Sequence, residues 1–139
     1  MLCDQIMETD KVFFRNVGFY LRIGAKMDCT VRNVIYALFC NGCGKSYVGE
    51  SVCFRDRINT HRSNSSPNRD AVKMADESVM EVSRHFYECG QGFRACPIFK
   101  VREECKMLRL VVEDYLIKLL KPDLNAPRRN ILHLKAMDE

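Results

Sequence analysis

Eight cysteines occur in a chain of 139 residues, and only Cys40 and Cys43 stand close together, in the run C-N-G-C. Such a pair is either two reduced thiols in a turn or half of a tetrahedral Zn²⁺ site, with Zn–S distances near 2.3 Å. His85 and Cys89, one helical turn apart, offer the other two ligands. Cys3, Cys29, Cys53, Cys96 and Cys105 are isolated and read as packing thiols. A second set has no thiols. Tyr36 closes the tripeptide V-I-Y and Tyr47 opens Y-V-G, in matched strands. Arg57 and His61 follow four residues apart, on one helical face. Glu113 lies between Leu110-Val111-Val112 and Tyr115-Leu116-Ile117, where a buried carboxylate is costly unless partnered.

The elements that must position these residues are legible from periodicity. Asn33 to Phe39 is a β-branched and aromatic run, a strand by composition. Asn41 to Gly44 is a turn by its Asn and Gly content, and Lys45 to Glu50 returns as a second strand, giving a hairpin. Ser51 is placed to cap a helix running to Arg62, with Phe54 and Ile58 facing the core. Ser63 to Arg69 is a polar loop, Asp70 to Tyr87 a second helix, and Pro97 to Arg102 a third strand. Glu104 to Lys121 is the strongest helix, with Leu108, Val111, Val112, Tyr115 and Leu119 at helical spacing and Pro122 as its stop. Val12 to Ile23 is aromatic-rich, one strand or two with Gly18 as a bend. The expected class is α/β (α+β): a small antiparallel three-stranded sheet flanked by helices. Residues 31–127 form the expected domain, after an extension over 1–30 and before a charged tail over 128–139.

Composition bounds the rest. Apolar residues make up 47% of the chain and charged ones 29%, enough hydrophobic mass for one core. No apolar run approaches the roughly 20 residues of a membrane span, and the N-terminus has no apolar signal core, so an intracellular protein is expected. A net charge of +4 permits an anionic partner without demanding one.

Taken together, V-I-Y, Y-V-G, Arg57, His61, Glu113 and Pro122-Asp123-Leu124-Asn125 resemble the GIY-YIG endonuclease superfamily over roughly residues 31–126. Within it, the C-x-x-C between the tyrosine motifs, the stretch Glu50-Ser51…Arg57…His61-Arg62 and His85-Phe86 are similar to the endonuclease domain of Penelope-like retroelements. That family shows a further histidine after His85; here the stretch reads Cys89-Gly90-Gln91, and Cys89 is the available substitute. The resemblance implies a DNA endonuclease hydrolysing phosphodiester bonds, with Mg²⁺ or Mn²⁺ on Glu113 and structural Zn²⁺ on Cys40, Cys43, His85 and Cys89. It implies Arg57 as the phosphate-binding arginine, Tyr36 or Tyr47 as the base, and His61 as a proton relay or phosphate contact. Asn125 corresponds to a late positional asparagine, grouped with the DNA-facing set.

Lys45, Arg55, Arg62 and Arg69, with Arg128 and Arg129 at the end, form the expected DNA backbone footprint. A nuclear location follows if the protein acts on host nuclear DNA. Each feature also has a plainer reading: cross-strand tyrosines in a sheet, a solvated Arg/His helix face, a surface glutamate. The competing function is a catalytically silent DNA-binding or zinc-stabilised interaction module.

Overall fold

A computed structural model describes residues 10–24, 26–65 and 77–125, with the backbone alone over 77–81. In chain order the elements are β1 (Lys11–Phe14), β2 (Phe19–Arg22), β3 (Arg32–Cys40), β4 (Ser46–Cys53), α1 (Phe54–Asn64), α2 (Glu77–Cys89), β5 (Phe93–Lys100) and α3 (Lys106–Leu120). The main sheet is antiparallel in the order β4-β3-β5, and β1 and β2 form a separate antiparallel ribbon. The mixed α/β architecture with a three-stranded antiparallel sheet is the one the periodicity predicts.

The central strand explains the continuous apolar run. β3 is hydrogen-bonded on both edges and covered on both faces, so Val34 through Leu38 are all fully buried and no polar alternation is required. Val34, Tyr36, Leu38 and Cys40 face one cluster with Phe54 and Ile58 of α1 and Val82 and Phe86 of α2. Ile35, Ala37 and Phe39 face the other, with Leu116 and Leu120 of α3. Each large side chain so buried contributes about 1.5–3 kcal/mol.

β5 begins at Phe93, four residues before the expected start, and Pro97 lies inside it. Proline is tolerated because β5 is an edge strand, and the register shifts beside it, where Ile35 pairs Phe99 and Tyr36 pairs Pro97. Ser51 does not cap α1. Its hydroxyl accepts from the Cys53 amide and donates to the Cys53 carbonyl, so β4 runs straight into a helix whose N-cap is Cys53. α3 presents a different stripe from the one its apolar residues suggest. Arg109, Glu113, Leu116 and Leu120 are buried, whereas Leu108, Tyr115 and Leu119 are exposed. The helix ends as expected before Pro122, with Lys121 in the left-handed region (φ 49°).

Residues 10–24 are part of the core and not an appendage. Val12 and Phe14 are buried against Ile35, Phe39 and Leu116. The ribbon turn is tied down at both sides: Arg15 donates to the Cys43 carbonyl at 2.9 Å, and Asn16 donates to the Lys121 carbonyl at 2.7 Å. The expected start of the second helix at Asp70 and the tail over 128–139 lie outside the described residues. No described helix is long and apolar enough to cross a membrane.

Candidate functional site

Tyr36 sits in mid-β3, directly opposite Gly49 of β4. That glycine is a steric requirement: a Cβ there would lie 2.5 Å from the Tyr36 hydroxyl and 3.0 Å from the Tyr47 ring. Its absence lets the Tyr36 ring lie across β4 toward α1, where Tyr36 Oη is 2.8 Å from His61 Nε2. The Tyr36 and Tyr47 rings both meet His61 edge-on, at centroid distances of 5.9 and 5.7 Å. His61 is fully buried on the inner face of α1, and its Nδ1 has no hydrogen-bond partner among the described residues. The arginine and histidine do not form a solvated pair: Arg57 is half-buried and close enough for its charge to act on His61 and on Tyr36.

Burial, reinforced by the Arg57 charge, pulls the His61 pKa down to about 3, so the imidazole is neutral. Burial also raises the Tyr36 phenol well above 10; Tyr47 adds to the rise, Arg57 opposes it, and Glu113 and Glu50 push it further. A neutral phenol paired to a neutral imidazole is a proton-sharing arrangement with no net charge of its own.

Glu113 is buried on α3, and one turn before it Arg109 is buried too. Arg109 Nε donates to Glu50 Oε2 at 2.9 Å and Nη1 to Asn33 Oδ1 at 2.7 Å. Asn33 adopts φ 58°, a left-handed conformation asparagine tolerates, and its carbonyl accepts from Val101. Arg109 and Asn33 carry no motif of their own, whereas Gly49 is the glycine of Y-V-G. The four-residue spacing of Arg109 and Glu113 is the signal that links two of these charged side chains to one buried face. Asn125 is positional: Oδ1 accepts from the Val48 amide at 2.9 Å and Nδ2 donates to the Val48 carbonyl at 2.8 Å, so its carboxamide pairs the β4 edge.

Cys40, Cys43, His85 and Cys89 converge, with their ligand atoms all within 4.8 Å of one another. A tetrahedral Zn²⁺ places its ligand atoms about 3.5–3.8 Å apart, so the cluster is compatible with structural zinc after a small contraction. Local backbone builds it. Cys40 accepts from Gly44, which turns the chain at φ 76°. A Cβ on Gly42 would collide with Cys89 Sγ, so the glycine leaves room for that thiol at the turn. Cys43 Sγ lies 3.3 Å from His85 Nε2. Burial, then Lys45, lowers the His85 pKa and favours the neutral, ligating ring. Burial opposes ionisation of Cys40, but the Cys43 and Gly42 amides and neighbouring thiols outweigh it and lower its pKa. Cys89, hydrogen-bonded to Cys40 and partly desolvated, rises to about 11.

Of the basic residues, Lys45, Arg55 and Arg62 are exposed around the hairpin and α1. Arg55 contacts Cys29 Sγ at 3.2 Å and Arg62 contacts Asn59 at 3.4 Å. Arg69 lies outside the described residues, as do Arg128 and Arg129. Among the presumed packing thiols Cys96 is buried, Cys29 and Cys53 are half-buried, and Cys105 is exposed, which corrects its assignment to packing.

No family model matches the chain, and neither a curated protein nor a solved structure shows significant similarity to it.

Proposed function

We propose that this protein is a divalent-cation-dependent DNA endonuclease of the GIY-YIG type, hydrolysing phosphodiester bonds, with structural Zn²⁺ on Cys40, Cys43, His85 and Cys89. The observation that carries the reading is the buried Tyr36–His61 hydrogen bond of 2.8 Å, made across the side-chain-free Gly49 and within reach of the Arg57 and Glu113 charges. Ordinary sheet packing does not need a histidine there, and His61 Nδ1 has no hydrogen-bond partner among the described residues, a burial cost that packing alone does not offset.

In this reading Arg57 holds the phosphate with its planar fork. Tyr36 or Tyr47 takes the proton of the attacking water, and His61 passes it on or orients the phenol. Because the Tyr36 phenol is raised and not lowered, it acts as a base only when a bound cation adds its positive charge to that of Arg57 beside it. Glu113 would hold Mg²⁺ or Mn²⁺, which would supply that charge. The exposed Lys45, Arg55 and Arg62 bind the DNA backbone.

The full burial of Tyr36 favours a second reading, a catalytically silent zinc-stabilised or DNA-binding module. Supercoiled plasmid with Mg²⁺ or Mn²⁺, with and without chelator, separates the two. The nuclease nicks the plasmid, chelator stops it, and folded Glu113→Gln binds DNA within about twofold of the parent but does not cut. A parent inert with either cation, or a Glu113→Gln variant cutting at the parent rate, overturns the assignment.

A further inference from the structure

The β1–β2 ribbon buries one face in the core and shows the other to solvent. The outward face is ordered in cross-strand pairs: Lys11 opposite Arg22, then Phe13 opposite Tyr20. Phe13 is 46% and Tyr20 59% exposed, and the two lie side by side on that face. The rings are 5.0 Å apart, and Lys11 Nζ lies 4.8 Å from the Tyr20 centroid. Further cations flank the ribbon, with Arg94 in the cleft beside Phe13 and Lys100 in the cleft beside Arg22. Over residues 10–24 the charges are Lys11, Arg15 and Arg22 against Asp10 alone.

We infer that this ribbon face is a docking platform for single-stranded nucleic acid, bases stacking on Phe13 and Tyr20 and phosphates meeting Lys11, Arg22, Arg94 and Lys100. Paired rings beside cations match the two components of unpaired-strand binding, a stacking surface and an electrostatic track. A duplex offers its phosphates but hides its base faces, so the exposed rings favour an unpaired segment. A lipid surface fits less well, because the outward face of the ribbon holds no aliphatic residue. The platform's anchorage supports it: Arg15 and Asn16 fasten the ribbon turn to Cys43 and Lys121, so the face is rigid before any ligand arrives. The inference rests on the nuclease reading only in choosing nucleic acid as the occupant.

The test is fluorescence anisotropy of a labelled single-stranded oligonucleotide and of the matching duplex, in buffer without Mg²⁺ or Mn²⁺, so that nothing is cut and the Cys/His cluster is left undisturbed. The parent binds the single strand more tightly than the duplex. Phe13→Ala with Tyr20→Ala, both exposed and removable without opening the core, weakens single-strand binding about tenfold or more and leaves the duplex within about twofold. Tyr20→Phe keeps single-strand binding, because the ring is what stacks. Equal loss for both ligands, no loss, or no binding by the parent overturns the inference. So does a parent dimer in sedimentation that the double variant turns to monomer, which would assign the face to a second copy. Binding of the parent to anionic vesicles but not to the oligonucleotide assigns it to a membrane and also overturns it. A parent that binds the strand without those cations yet never nicks plasmid with Mg²⁺ or Mn²⁺ sinks the nuclease reading and leaves this one standing.

Discussion

His61 is the residue whose environment departs furthest from its sequence appearance. Beside Arg57 on a short helix it reads as a solvated cation, yet it is fully buried between two tyrosine rings with a pKa of about 3. The unfolded chain binds a proton near pH 6.5 that the folded protein refuses. Its stabilising contribution is therefore complete above that pH and is lost as pH falls toward 3. Tyr36 from β3, Tyr47 from β4 and Arg57 from its own helix face it, and Arg57 is the charged one. Between pH 7 and 5 this one group removes about 2 kcal/mol of stability. Denaturant unfolding at both pH values measures it, and the parent should show that much more pH dependence than His61→Gln. Comparing the two chains cancels His85, which is also depressed. Parallel curves would show that His61 is protonated in the folded state.

At the scale of elements, two glycines set how closely neighbours approach. Gly49 admits the Tyr36 ring across β4, and Gly42 admits Cys89 to the β3–β4 turn. Gly49→Ala should cost about 1–3 kcal/mol as an overpacking change, seen as a lower denaturation midpoint. It should also displace Tyr36 from His61 and so reduce any nicking activity with DNA binding retained. A variant as stable and active as the parent would mean that the Tyr36 hydroxyl is free to move without consequence. The β4 edge is managed at the same scale. Leu124 donates to the Ser46 carbonyl, Asp123 accepts from the Ser46 amide, and Asn125 brackets Val48. The segment after α3 thus covers a strand edge otherwise open to pairing with other chains.

For the whole molecule, the Cys/His cluster joins parts far apart in sequence: the β3–β4 turn, the end of α2 and, through Arg15 on the Cys43 carbonyl, the N-terminal ribbon. Metal affinity at such a site is folding free energy, because the unfolded chain holds no preformed site. Purified protein should carry about one zinc per chain. Stripping it, or Cys40→Ser, should lower the melting temperature by about 10 °C, equivalent to a few kcal/mol at this length. A metal-free preparation with an unchanged melting temperature would leave four plain thiol and imidazole groups in contact.

Local patterning accounts for the class of fold and most of its elements. A hairpin around C-N-G-C-G, a helix after it and a long helix ending at Pro122 follow from β-branched runs, glycine turns and helical spacing. The convergence of Cys40, Cys43, His85 and Cys89 was also readable, because a turn brings one pair together and a single helical turn the other. Three dimensions decided what short-range pattern cannot encode. Pro97 entered a strand because that strand is an edge, a property of sheet order. α3 buried Arg109 and Glu113 and left Leu108 and Tyr115 in solvent; for Arg109, Asn33 and Glu50 supply the partners that make the buried charge tolerable. Residues 10–24 joined the core because the second face of β3 required a cover, and Val12 and Phe14 provide it; only a sheet with two apolar faces creates that demand.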